Sequence, residues 1–98
     1  MLNETQQRFV EMMQESYPEK YLYKDYYFFE NTEVDPETKE ETRTNYLNIV
    51  KVGEYILNNP GKVIKVATGW RGGIPSPLMR YTITYDGNKI IIVDEEEN

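Results

Sequence analysis

The chain contains no cysteine and no histidine. The first absence excludes disulfides, thiolate metal sites, a thiol nucleophile and a lipid-bearing cysteine; the second removes the commonest general base and the commonest zinc ligand. Most familiar catalytic constellations are thereby lost. Alanine occurs once, at Ala67, while Asn, Lys, Glu, Ile and Tyr abound. That bias points to an AT-rich coding genome such as those of many Gram-positive bacteria and their phages, so a phage or mobile element is a fitting source. No stretch approaches the ~20 apolar residues of a membrane span, and Met1 to Gln14 lacks the cationic start and apolar run of a secretion signal. The expectation is a cytoplasmic protein without membrane contact.

What is present is one small domain's worth of sequence. Of 98 residues, 39% are hydrophobic and 13% aromatic, enough to build a core. A chain of this size hides roughly 60–65% of its unfolded surface, so its stability margin is narrow and homo-oligomer formation stays open. Seventeen acidic against eleven basic side chains give a net charge of −6, which opposes direct nucleic-acid binding.

Asn3 and Gln6 have capping-box spacing, and Leu2, Phe9, Val10, Met13 and Tyr17 recur on one side until Pro18 forbids continuation. This predicts a helix over residues 3–17. Met12 and Met13 suit core packing better than an adaptable groove. Tyr21 to Glu30, YLYKDYYFFE, reads as the first strand, with Tyr21, Tyr23, Tyr27 and Phe29 on one face and Leu22, Tyr26 and Phe28 on the other. Residues 31–43 contain one aliphatic residue and an Asp-Pro turn signal, and are expected to form an exposed acidic loop. Its carboxylates, Glu33, Asp35, Glu37, Glu40 and Glu41, admit a minor reading as an acidic DNA mimic.

Residues 42–49 admit two readings, a return strand pairing with the first or the approach to a helix. The recurrence of Tyr46, Ile49, Val50, Gly53, Ile56 and Leu57 favours a helix over 45–58, capped by Thr44 or Asn45. Gly53 inside it implies close approach of the helix to the sheet, and Asn58-Asn59-Pro60-Gly61 stops it. Residues 62–69 and 79–85 read as strands. In the second, Met79, Tyr81, Ile83 and Tyr85 alternate with Arg80, Thr82 and Thr84, so one face is buried and one wet. Asp86-Gly87 turns the chain into a partner strand at 89–94. The acidic tail, residues 95–98, is expected to fray and to discourage edge-to-edge pairing of the isoleucine-rich strand. The order α-β-α-β-β-β predicts a two-layer α+β domain, a mostly antiparallel sheet of about four strands with two helices on one face.

Residues 69–77 are the main site candidate. Gly72 and Gly73 permit close approach of a ligand to the backbone, Arg71 offers a planar fork for phosphate or carboxylate, and Trp70 can stack on a ring. Arg80 adds a second positive charge, and Tyr23 and Tyr27 supply contact area at low entropy cost. The plainer reading is a proline-stiffened hairpin loop with Trp70 tucked over the core. The spacing fits neither nucleotide fingerprint. Asp86, Asp94 and Glu95 match no calcium loop, so no catalytic residue, metal ligand or cofactor is assigned. Gly61-Lys62, then Gly73-Ile74-Pro75, Tyr85-Asp86-Gly87, Ile90 and Asp94 resemble the pattern of a family of small Gram-positive lipoprotein domains of unknown function. The resemblance covers the last forty or so residues, and the family's lipoprotein cysteine has no counterpart. It implies a helix-strand-hairpin layout and no mechanism. The leading expectation is therefore a non-enzymatic module that binds a protein partner through residues 69–77. The alternative is a binder of a small anionic nucleotide using Arg71 and Arg80.

Overall fold

A computed structural model describes residues 1–18, 28–69 and 79–95. Helix α1 (Glu4–Ser16) starts at Asn3 with the expected capping box: the Asn3 side chain accepts from the Gln6 N–H at 2.8 Å, and the Gln6 side chain accepts from the Asn3 N–H at 3.1 Å. It is followed by β1 (Phe28–Val34), β2 (Glu41–Thr44), α2 (Ile49–Asn58), β3 (Val63–Gly69), β4 (Met79–Tyr85) and β5 (Ile90–Asp94). The strands form one sheet in the order β2-β1-β3-β4-β5. Every neighbouring pair is antiparallel.

The two-layer α+β architecture holds, with a fifth strand that composition had concealed. Residues 31–43 are not a single loop, because 31–34 complete β1 and 41–44 form β2. Only the reversal between them is a turn, held by the Asp35 side chain, which accepts from the N–H groups of Glu37 at 2.8 Å and Thr38 at 3.1 Å. Those donors favour the ionised carboxylate and hold its pKa below the ordinary value. The return-strand reading is thus right for residues 42–44, and the helix begins later than 45. Its cap is Asn48, not Thr44 or Asn45, with the Asn48 side chain accepting from the Lys51 N–H at 3.1 Å.

Asn31 explains that shift. It is buried on the helix-facing side of β1, donates to the Tyr46 carbonyl at 2.9 Å, and accepts from the Tyr46 N–H and from the Thr44 hydroxyl. These bonds hold 44–46 against the sheet, ahead of the bend at 47–48 that leads into α2.

Both helices lie on one face. Phe9, Val10 and Met13 of α1 meet Ile49, Val50, Val52, Ile56 and Leu57 of α2 over Ile64 and Val66 of β3, Tyr81, Ile83 and Tyr85 of β4, and Ile90 of β5. Each such side chain contributes about 1.5–3 kcal/mol when fully buried. Leu2, expected on the apolar side of α1, is exposed, while Gln6 is buried as the capping partner. The close approach at Gly53 is to the other helix rather than to the sheet. A Cβ there would collide with the ring of Phe9, a residue without solvent exposure. Arg8 joins α1 to the last hairpin, donating to the Tyr85 hydroxyl at 2.6 Å, and that hydroxyl donates to the Gly87 carbonyl at 3.0 Å.

At one end of the sheet the connections are short and hydrogen-bonded. Gly61, at φ +95°, donates to the Tyr85 carbonyl at 2.9 Å, and the Asp86 side chain accepts from Asn88 and Lys89 N–H groups at 2.8 Å each. At the other end Phe28 lies beside Gly69, Thr68 beside Met79, and the Glu95 N–H donates to the Arg80 carbonyl at 3.0 Å. Glu95 is therefore held by the sheet rather than frayed, and 96–98 lie outside the described residues.

Candidate functional site

Strand alternation sends every second side chain away from the helices. The strand registers place these outward residues in cross-strand rows: Glu30, Ala67 and Arg80 in the first, and Arg43, Thr32, Lys65, Thr82 and Val93 in the second. A third row runs Glu41, Val34, Val63, Thr84, Ile91. Among the described residues no helix covers this face, and Val93 keeps 59% of its surface exposed.

The small side chain of Ala67 leaves a depression of about 170 Å³, lined by Glu30, Thr32, Lys65, Ala67, Arg80 and Glu95. Its charges alternate. Lys65 lies 3.3 Å from Glu41 and 3.6 Å from Glu95, whereas Arg80 has no ion-pair partner among the described residues. A second depression of about 280 Å³ lies across β1 and β2, lined by Glu30, Asn31, Arg43 and residues 44–47. The two share Glu30, which pairs with Arg43 at 3.5 Å. At the far rim stands Leu47, 80% exposed.

Beyond the sheet's margin on the helix side, the Tyr55 hydroxyl donates to the Glu33 carboxylate at 2.5 Å, and the Tyr46 and Tyr55 rings lie 5.5 Å apart. The Glu33 carboxylate bond, aided by burial, pushes the Tyr55 hydroxyl up to about 12. Burial, with Glu33 nearby, raises Tyr46 in the same direction. Burial raises Tyr81 too, with Asp94 adding to it. In these tyrosines the neutral form is favoured, which suits packing and hydrogen bonding rather than proton transfer near neutrality. Among the described residues no group of three or more acidic side chains is placed to hold a metal ion.

Of the residues singled out in the sequence, Arg80 is exposed on the wet face of β4, as its alternation implied. Trp70, Arg71, Gly72, Gly73, Tyr23 and Tyr27 lie outside the described residues. The strand ends bracketing 70–78, Gly69 and Met79, stand at the Arg80 end of the sheet. Glu33 and Glu41 point to opposite faces, since Glu33 lies beside Ile64 and Glu41 beside Val34. Sequence reading missed Glu30, Lys65 and Leu47, and weighed Glu95 only against a calcium loop. The signal for Glu30 and Lys65 is the pairing of β1 with β3, a long-range contact that local pattern does not carry. Comparison with family models, curated proteins and solved structures gives no match. The reading of the site therefore rests on its own geometry.

Proposed function

We propose that the protein is a non-enzymatic, cytoplasmic interaction module that grips a protein partner with the helix-free face of its sheet around Glu30, Lys65 and Arg80, with contributions from Leu47 and from residues 69–77. The observation that carries the reading is the charge pattern around Ala67. Two carboxylates and two cations surround a depression too shallow to enclose a substrate, which suits a surface of mixed polarity. Leu47 supplies an apolar anchor at one end, and Trp70 with Arg71 belong to the residue types that dominate interface energies.

The test is capture of interacting proteins from the native host by chemical crosslinking, followed by titration of the purified partner. Leu47→Ala, the pair Lys65→Glu with Arg80→Glu, and the pair Trp70→Ala with Arg71→Ala should each weaken the complex at least tenfold while thermal unfolding changes little. Full binding by all three variants would overturn the reading. A second reading, binding of a small anionic nucleotide, draws on the shared position of Lys65 and Arg80 at one depression. It would show as a nucleotide-dependent rise in unfolding temperature that Arg80→Ala abolishes. Glu30 and Glu95 at the same rim cancel most of the attraction for an anion, which makes this the weaker case.

A further inference from the structure

The charges lining the Ala67 depression are Glu30, Lys65, Arg80 and Glu95. All but one are engaged by neighbours. Glu30 pairs with Arg43 at 3.5 Å, and Lys65 stands between Glu41 at 3.3 Å and Glu95 at 3.6 Å. The exception is Arg80. Glu95 holds the Arg80 carbonyl through its N–H at 3.0 Å, yet its carboxylate is turned to Lys65. The Arg80 side chain is exposed, and its guanidinium has no hydrogen bond or ion pair among the described residues.

A second unmatched donor faces the same space. Thr32 neighbours Lys65 across β1 and β3, its side chain points to the helix-free face, and its hydroxyl makes no hydrogen bond among the described residues. Ala67 forms the floor, directly between Glu30 and Arg80 in the strand register. It is the chain's single alanine. Any longer side chain at this position would fill the depression. At about 170 Å³ the space is well below the roughly 300–1,000 Å³ of a pocket that encloses a small molecule. It suits one side chain of a partner rather than a free ligand.

We infer that the Ala67 depression receives a single carboxylate, an aspartate or glutamate side chain of the protein partner, and that Arg80 selects it. The inference rests on the protein-binding reading above and names the chemistry that the partner brings. A guanidinium presents parallel N–H donors that match both oxygens of a carboxylate, a geometry that an ammonium lacks. An apolar side chain set there would leave Arg80 desolvated and unpaired, which opposes binding. A phosphate would match the fork too, but Glu30 and Glu95 stand at the rim, and their repulsion grows with the charge of the incoming group. Arg80 alone balances a single negative charge, since Lys65 is already shared by Glu41 and Glu95. The chain's net charge of −6 repels acidic partners at large, so the attraction is confined to this position. It serves specificity more than affinity.

The test is selection of linear peptides from a random displayed library on the immobilised full chain, followed by titration of the selected peptides against variants. The peptides should share an Asp or Glu at one position. Replacing that residue by Asn or Gln should weaken binding roughly 10- to 100-fold, Arg80→Gln should do the same, and both changes together should weaken it no further. Arg80→Lys should recover part of the loss, because it keeps the charge without the fork. Ala67→Leu fills the depression with every charge in place, and should remove the preference for the acidic position while thermal unfolding changes little. A phosphoserine at that position should bind more weakly than the carboxylate.

Peptides that depend on Leu47 but share no acidic position, or that ignore Arg80→Gln, overturn the inference and leave the partner reading standing. So does tighter binding of the phosphoserine form. A library that yields no binder overturns the partner reading and the inference with it. The same follows from binders indifferent to Leu47→Ala, to Lys65→Glu with Arg80→Glu, and to Trp70→Ala with Arg71→Ala.

Discussion

Tyr81 and Ile83 on the helix-covered face have no solvent exposure, whereas Thr82, between them in the chain, points to the other face and keeps part of its surface. The same alternation runs through β3, where Ile64 and Val66 are sealed and Lys65 forms ion pairs in solvent. One face holds the protein together, and the other carries no helix among the described residues. Apolar burial on the first is worth kilocalories per side chain, while exposed ion pairs on the second are worth about 0–1 kcal/mol. Substitutions should therefore separate cleanly by face.

The largest contrast is Ile83→Ala against Thr82→Ala. The first leaves a cavity and should lower unfolding free energy by about 2–5 kcal/mol in urea titration, and the second should stay within about 0.5 kcal/mol. Equal losses would break the division of labour. Next, Asn31→Ala leaves the Tyr46 backbone and the Thr44 hydroxyl without their partner and should cost about 1–3 kcal/mol. A polar residue on the helix side would then rival the aliphatic ones. Gly53→Ala follows. The added methyl gains about 1 kcal/mol of helix propensity but meets the buried Phe9 ring, for a net loss of about 1–2 kcal/mol in the same titration. A gain would mean that the helix pair can slide.

A smaller effect lies at the margin between the faces. Because the folded hydroxyl of Tyr55 is raised to about 12 from 10.0, its contribution to stability is present in full below pH 10. It is lost as pH rises toward 12, when the unfolded chain releases that proton first. Unfolding followed across pH 9–12, a range set by that shift, should show a shallower alkaline decline in Tyr55→Phe than in the natural chain. An unchanged slope would detach Tyr55 from Glu33.

The sequence was most legible where neighbours in the chain decide the outcome. Asn3 with Gln6, the alternation of β4 and the Asp86-Gly87 turn are local, and each appears where its pattern placed it. It was least legible at β2 and at the start of α2. Glu41–Thr44 is polar enough to read as solvent-exposed loop, yet it pairs with residues 31–34, and Asn31 then holds Tyr46 against the sheet. Residues 42–49 admit a return strand, but nothing within 41–48 decides between that strand and the approach to a helix. Arg80 could be assigned to the wet face from β4 alone. Its company with Glu30 and Ala67 depends on β1 lying beside β3, a pairing between strands separated by a hairpin and a helix.

Where Val34, Val63 and Thr84 lie side by side, the chain reverses through tight connections tied by their own hydrogen bonds, so a change of length there would unseat a strand. The carboxylates of Asp35 and Asp86 each gather two backbone N–H groups in these reversals. Any insertion into this scaffold therefore has to spare that pole of the sheet.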